Sequence, residues 1–187
     1  MTDPTTPLAR LGPALPILAR LTFTAVLLQY FWSSALTKMG NGIFGLFSPS
    51  LGAYAQIFPR QMEAVGYDAS QLGVLHWAVV VAGMWAEFLL PALIVVGLLT
   101  RLSALGMIGF IAVQSLTDLY GHGAIEHAET LGAWFDRTPD ALILDQRAFW
   151  VYLLLTLVVM GGGVLSLDRV VFRNATSARP ASPQPAP

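Results

Sequence analysis

Four long runs of apolar residues follow one another along the chain, and shorter polar segments separate them. The runs cover residues 14–37, 72–100, 102–119 and 148–167. Each is long enough to cross a bilayer as a helix, which takes about 20 apolar residues. The second and third runs are joined by so short a connection that their helices must lie antiparallel and adjacent. The pattern predicts an all-α membrane protein, an antiparallel four-transmembrane-helix bundle over residues 14–168.

The polar segments between and around these runs predict the remaining elements. In the first loop, residues 50–66 carry apolar side chains at a rough helical spacing, which indicates a short amphipathic helix. The second long loop, residues 120–147, is acidic. Residues 1–13 are predicted to be a flexible N-terminal segment. Residues 169–187, which run out in Pro and Ala, are predicted to be a disordered tail.

Composition supports a membrane protein and excludes several function classes. The chain is 55% hydrophobic and only 11% charged, against about 25% charged in soluble domains. Its mean hydropathy is +0.63. A net charge of −1 without a clustered basic face argues against a nucleic-acid partner. The absence of cysteine excludes disulfides, thiolate catalysis and iron–sulfur ligation.

The positive residues predict how the bundle is oriented. Four spans place both termini on one side of the membrane. The positive residues expected on that side are Arg10, Arg20, Arg101, Arg169, Arg173 and Arg179. Those expected on the other side are Lys38, Arg60, Arg137 and Arg147. Because positive charge accumulates in cytoplasmic segments, the sequence predicts that both termini are cytoplasmic.

Glu87 is the only formal charge in the second run, and it lies about midway along it. A carboxylate near the middle of a bilayer costs about 3 kcal/mol or more to insert, so it usually faces a partner or a cavity. Pro91, four residues later, has no N–H to offer to the carbonyl of Glu87. A functional centre and a structural ion pair both fit this pattern.

Helical rise predicts which other polar side chains lie near Glu87. Ser34 and Gln114 fall at a similar height, and Lys38 falls roughly 6 Å above it. We therefore take Glu87, Lys38, Ser34 and Gln114 as a candidate intramembrane polar site, in which Lys38 or a serine hydroxyl satisfies Glu87. If this site is functional, its four residues and Arg20 would line a cavity. In the alternative, Lys38 extends outward to the lipid headgroups.

A second group of charges is expected at the cytoplasmic edge. Arg101 lies in the short connection between the second and third spans, and Asp168 follows the fourth. With Arg20 nearby, they predict an ion cluster that locks the helix ends. The alternative is a set of separate, solvated charges that only set the topology.

The three histidines could contribute to a metal site, but no motif supports one. His76 lies near the outer boundary of the second span, and His122 and His127 lie in the second long loop. With loop carboxylates they could ligate a metal, or His76 a haem. Ordinary interfacial histidines are the preferred interpretation, so no metal is assigned. Dinucleotide, phosphate-loop, zinc-protease and nucleophile-elbow motifs are absent from the sequence.

Several of these residues form motifs that resemble a known family. The motifs are Lys38-Met39-Gly40, Glu87-x₃-Pro91, Gly97-Leu98-Leu99-Thr100-Arg101 and Gly161-Gly162-Gly163-Val164-Leu165-Ser166-Leu167-Asp168. Together they resemble the DoxX family of small four-span bacterial membrane proteins, over residues 18–168. One departure is Gly162, where relatives often carry proline. The long segments 41–71 and 120–147 indicate a subfamily with its own external surface.

The resemblance implies a bundle in the bacterial plasma membrane that is linked to redox chemistry. Some relatives are subunits of thiosulfate:quinone oxidoreductase, and others are scaffolds that recruit oxidative-stress enzymes. The positions that match the family here are Arg20, Lys38, Glu87, Arg101 and Asp168. Since the chain has no cysteine, any sulfur chemistry could not pass through a protein thiol.

Two functions compete at this stage. In the first, the chain is an accessory subunit of a quinone-linked oxidoreductase, with no intrinsic cofactor and a quinone as its ligand. Its partners would be the lipid bilayer and a soluble or membrane redox protein, and a homo-oligomer is left open. In the second, the chain is a non-catalytic membrane scaffold or small-solute carrier in which Glu87 is structural. Whether the chain has enzymatic activity of its own is not decided by the sequence.

Overall fold

The structure is a computed structural model that describes residues 11–176, and this part of the chain is helical without any strand. In chain order the main helices are α1 (Gly12–Lys38), α2 (Leu51–Ile57), α3 (Pro59–Ala64), α4 (Val74–Val96), α5 (Thr100–Gly121), α6 (Leu142–Met160) and α7 (Leu167–Thr176). Of these, α1, α4, α5 and α6 are long and apolar enough to cross a membrane. The predicted all-α four-span bundle is confirmed.

The four long helices share a buried core. It is built from Ala19, Phe23, Leu27, Phe31, Ile94, Ala104, Met107, Ile111, Leu154 and Leu157. Positions four apart, like those on α1, drift by about 40° per step around a regular helix. A π-helical turn at Thr24–Leu28 holds more residues per turn, which offsets this drift. The turn therefore keeps the inner face of α1 against the core.

Two of the spanning helices end earlier than predicted, each at a glycine. The second span was predicted to continue to residue 100, but Gly97 adopts φ 71° and ends α4 at Val96. The fourth was predicted over 148–167, but α6 begins at Leu142, and Gly161 adopts φ 77° and ends it at Met160. Both glycines have a positive φ, which glycine adopts without a steric penalty.

The first loop contains two short helices where one was predicted over residues 50–66. The Ser50 side chain caps α2 by accepting from the N–H of Ala53. The chain bends at Phe58, and Pro59 opens α3. Ala53 and Met62 are wholly buried. The pair of helices thus folds back onto the bundle rather than lying apart from it.

The prediction of a disordered tail from residue 169 is corrected by α7, which continues to Thr176. Near the other end, Gly12–Ala14 form the first turn of α1, which is a 3-10 turn. The predictions for residues 1–10 and 177–187 lie outside the described residues. A Cβ on Gly163 would lie 3.0 Å from Pro16, so the start of α1 and the end of α6 meet at one end of the bundle. We call this end the terminal edge and the opposite end the loop edge.

Candidate functional site

Lys38 and Glu87 form a buried ion pair between α1 and α4. The Lys38 Nζ lies 3.0 Å from Glu87 Oε2 and 3.1 Å from Oε1. Their side chains are 7% and 3% exposed. Ser34 completes the group, because its hydroxyl donates to Glu87 Oε1 at 3.0 Å and accepts from Lys38 Nζ at 2.7 Å. We call these three residues the Lys38–Glu87 cluster.

Helix geometry explains why the cluster forms. Ser34 and Lys38 are four residues apart and so lie on the same face of α1. On the neighbouring helix, the carbonyl of Phe88 accepts from the indole of Trp32 at 3.2 Å. The backbone carbonyl of Lys38 accepts from the N–H of Ser50, which ties the end of α1 to the start of α2. Lys38 therefore points into the bundle and does not extend to the headgroups.

A cavity of about 480 Å³ lies beside the cluster, mainly between α4 and α5. Its lining includes Ser34, Lys38, Glu87 and Gln114, together with small residues of both helices, Ala82, Gly83, Ala86, Gly106 and Gly109. Towards the terminal edge the helices close, since a Cβ on Gly106 would lie 3.2 Å from Leu90. At Gly109 a Cβ would meet nothing within 4 Å. There is thus free space beside Gly109.

The cavity opens to the outside of the bundle. Val79 of α4 and Val113 of α5 both line it, and they are 41% and 60% exposed. Towards the loop edge its wall includes Gln56 and His122, and His122 Nε2 lies 2.9 Å from the Gln56 carbonyl oxygen. A molecule could therefore enter sideways between α4 and α5.

Gln114 shares the cavity but does not bind Glu87. Its side-chain N–H donates to the Tyr30 hydroxyl at 2.9 Å. Its Oε1 is buried and has no hydrogen-bond partner among the described residues. The site thus contains an acceptor that the protein itself leaves unpaired. Arg20, which the sequence also placed at this cavity, does not line it.

A second ion pair, which the sequence analysis missed, borders the same cavity. Arg147 of α6 is 2% exposed, and its guanidinium donates to Asp118 and to the Ser115 hydroxyl of α5. Asp118 also lines the cavity. The signal was present, because Asp118 lies inside the predicted third span and, like Glu87, needed a partner there.

At the terminal edge, direct ion pairs within 4 Å do not form the predicted cluster of Arg20, Arg101 and Asp168 among the described residues. Asp168 instead accepts from the N–H groups of Leu99 and Thr100, at 2.6 and 2.9 Å. Helix ends leave backbone groups unpaired, and the charged side chains satisfy those groups first.

The two arginines of this edge also bind backbone. Arg20 donates to four carbonyl oxygens, those of Ile94, Val95, Gly162 and Leu165. Arg101 donates to the carbonyl of Val158 at 2.9 Å. The three predicted residues therefore lie at one edge, but they act through separate contacts.

This arrangement predicts that Asp168 and Arg101 contribute independently to stability. We expect Asp168→Ala to cost about 1–2 kcal/mol in the free energy of unfolding, because it removes the cap of α5. Arg101→Gln should add its own smaller cost, with the double variant additive within about 0.5 kcal/mol. Denaturant unfolding of the four proteins in detergent measures this. A coupling energy above about 1 kcal/mol would restore the ion cluster.

The histidines lie in separate surroundings. His76 packs edge-on against Phe58, with ring centroids 4.8 Å apart. His127 Nδ1 lies 3.7 Å from a carboxylate oxygen of Glu129. Among the described residues, no group of three or more His, Asp or Glu side chains could hold a metal ion.

Among the described residues outside the spans, Asp68 and Tyr54 have shifted pKa values. The Ser70 hydroxyl, and then the Gln71 amide, donate to Asp68 and lower the pKa of its carboxyl. Burial raises the pKa of the Tyr54 phenol in α2. Neither residue lines the cavity.

Comparison with known proteins gives one match. The family model described as DoxX matches residues 15–118. That stretch contains Ser34, Lys38, Glu87 and Gln114, and it ends at Asp118. No curated protein and no solved structure matches the chain.

Proposed function

The chain belongs to the DoxX family, and from its membrane-embedded cavity we propose that it is an accessory subunit of a quinone-linked redox complex. In this proposal the cavity beside the Lys38–Glu87 cluster binds the quinone ring. Electrons come from a partner protein, since the sequence contains no haem, flavin or iron–sulfur motif.

The cavity itself carries the proposal. Ligand sites are concave, mostly apolar and about 300–1,000 Å³ in volume, with a few polar groups that orient the ligand. This cavity has about 480 Å³, and its lining includes several glycine and alanine residues and a few polar groups. The polar groups include the Lys38–Glu87 cluster and Gln114 with its unpaired Oε1. A quinol hydroxyl could donate to that oxygen, and a quinone carbonyl could accept from Lys38.

The position of the opening also supports a lipid-soluble ligand. Val79 and Val113 at the opening are apolar and lie along helices that are long enough to span a membrane. A quinone dissolved in the bilayer would reach the cavity there without crossing a polar surface. A water-soluble substrate would instead need a polar route from the loop edge.

In this proposal the chain supplies a proton to the quinone and orients its ring. Reduction of a quinone to a quinol takes up two electrons from the partner and two protons from the surroundings. Glu87 can hold a proton next to the ring, because Ser34 and Lys38 fix its carboxylate beside the cavity. Gln114 orients the ring through its unpaired Oε1.

The test is to fill the cavity. We expect wild-type protein, extracted in a mild detergent, to retain quinone that organic extraction and chromatography detect. Gly109→Leu places a side chain where a Cβ meets no atom within 4 Å, so it should occupy the space for the ring and lower the retained quinone by about tenfold or more. Ala112→Leu is the matched control, because Ala112 is exposed on the same helix and does not line the cavity.

Two results would contradict the proposal. The first is wild-type protein that neither retains added quinone nor changes its thermal stability in the presence of quinone. The second is equal retention by Gly109→Leu and Ala112→Leu proteins that elute and melt like the wild type.

The scaffold or small-solute carrier is the second candidate. One observation favours it: Glu87 is paired with Lys38 and accepts from Ser34, which a purely structural link between α1 and α4 would also require. Quinone-free protein, whose Glu87→Gln variant folds and supports quinone reduction in membranes as well as the wild type does, would establish this second function instead.

A further inference from the structure

A second pocket, open and of about 590 Å³, lies at the terminal edge. It is formed by the start of α5, the glycine turn after α6 and the start of α7, and we call it the edge pocket. Its polar lining includes Thr100, Arg101, Asp168 and Arg169. It is separate from the cavity of the proposed function, since the two share no lining residue.

The edge pocket presents positive charge to a ligand. Both oxygens of Asp168 accept from the backbone N–H groups at the start of α5. Arg101 is exposed and gives one hydrogen bond to a backbone carbonyl, so most of its guanidinium donors have no acceptor among the described residues. Arg169 is exposed as well. Two guanidinium groups therefore face one carboxylate that is already engaged.

A buried hydroxyl points to a ligand independently of these charges. Thr100 is wholly buried, and its Oγ1 has no hydrogen-bond partner among the described residues. The backbone of the glycine turn lies close to this oxygen, and a side chain there would clash with it, because a Cβ on Gly162 would lie 2.6 Å from Oγ1. Likewise, a Cβ on Gly161 would lie 3.3 Å from Arg101 Nε. The glycine turn therefore places no side chains next to the Thr100 hydroxyl and the Arg101 guanidinium.

The surroundings identify the class of ligand. The pocket lies where spanning helices begin and end, at Met160 and Thr100, which is the level of lipid headgroups. Helix α7 extends from it with exposed apolar side chains at Leu167, Val170 and Phe172, typical of a helix that lies along a membrane surface. Arginine forks bind phosphate oxygens bidentately. We propose that the edge pocket binds the phosphate group of an anionic phospholipid, held by Arg101, Arg169 and the Thr100 hydroxyl.

The experiment measures lipid retention by the full chain. Native mass spectrometry of detergent-purified protein is recorded with added phosphatidylglycerol or phosphatidylcholine. We expect wild type to retain one phosphatidylglycerol in preference to phosphatidylcholine, and Arg101→Gln/Arg169→Gln to bind it at least about tenfold more weakly. Arg60→Gln is the matched control, because Arg60 is an exposed arginine in α3, outside the pocket.

Thr100→Val separates ligand binding from folding. The hydroxyl makes no hydrogen bond to a described residue, so its removal should leave the melting temperature unchanged or raised. We expect about fivefold weaker retention of phosphatidylglycerol from the lost hydrogen bond to the ligand. Circular dichroism and gel filtration confirm that each variant is folded.

The outcomes are distinct. Equal retention of phosphatidylglycerol by wild type and by the folded double-arginine variant would overturn the proposal, as would equal retention of the two lipids by wild type. A parallel titration with inorganic phosphate, read by thermal unfolding, tests the source of the phosphate. If inorganic phosphate stabilises the wild type but not the double-arginine variant, and the wild type retains neither lipid selectively, the ligand of the pocket is a soluble phosphate and not a lipid.

Discussion

Replacing Glu87 with leucine is expected to lower the free energy of unfolding by about 3–5 kcal/mol, because it leaves a buried ammonium group without its partner. Lys38 is 6% exposed, and its ammonium lies within 3.1 Å of both oxygens of Glu87. Once the carboxylate is gone, the oxygens of Ser34 are the hydrogen-bond acceptors that remain for the ammonium among the described residues. Denaturant unfolding in detergent micelles, followed by circular dichroism, measures the loss.

Paired variants show whether the loss comes from the unpaired charge. Glu87→Leu/Lys38→Met removes both charges and should recover most of the stability, since apolar residues of similar volume often replace a buried ion pair at little cost. The exchange Glu87→Lys/Lys38→Glu should recover part of it. Glu63→Leu, at an exposed carboxylate of α3, is the control and should change stability by less than about 0.5 kcal/mol. A loss below about 1 kcal/mol for Glu87→Leu would show that Lys38 finds water or another partner.

Local periodicity could predict the fold and place Lys38 and Ser34 near Glu87, but it left open whether Lys38 pairs with Glu87 or extends to the headgroups. Apolar runs of about 20 residues have few stable alternatives to spanning helices. A single carboxylate in such a run must find a partner, and the rise of 1.5 Å per residue places Lys38 and Ser34 near its height. This arithmetic needs no knowledge of how the helices are arranged around each other.

The remaining contacts depend on tertiary arrangement, which local periodicity does not contain. Arg147 and Asp118 are separated by a long loop, so the angle between α5 and α6 decides whether they meet. At the terminal edge, the choice for Asp168 lay between an arginine and the free N–H groups of α5. The left-handed turn through Gly97 and Leu99 presents those N–H groups, and that conformation was not predicted.

The sequence suggested a cavity at the candidate site, but it did not predict that the cavity lies mainly between α4 and α5. Ala82 and Ala86 form part of a ladder of small residues, a pattern that usually indicates close helix packing. In the structure they line a void, together with Gly109. Close packing occurs instead at Gly106, against Leu90. Small residues permit either arrangement, and the divergence of α4 from α5 towards the loop edge decides between them.

Replacing Arg20 with methionine is expected to cost about 3 kcal/mol or more, because one guanidinium joins three parts of the bundle. It extends from α1 to the carbonyls of Ile94 and Val95 at the end of α4, and to those of Gly162 and Leu165 after α6. Gly97 makes room for it, since a Cβ there would lie 2.8 Å from the guanidinium carbon. The loss is measured by the same unfolding experiment.

A lysine at this position tests whether charge or geometry matters. Arg20→Lys keeps the charge, but an ammonium group lacks the planar fork that spans several acceptors at once. We therefore expect it to restore less than half of the stability that methionine loses, whereas Arg60→Met at an exposed site should cost less than about 0.5 kcal/mol. Full recovery by lysine would mean that any positive charge near these carbonyls suffices. In that case the edge would be held by electrostatic attraction to the helix C-termini, and the four individual hydrogen bonds would contribute little.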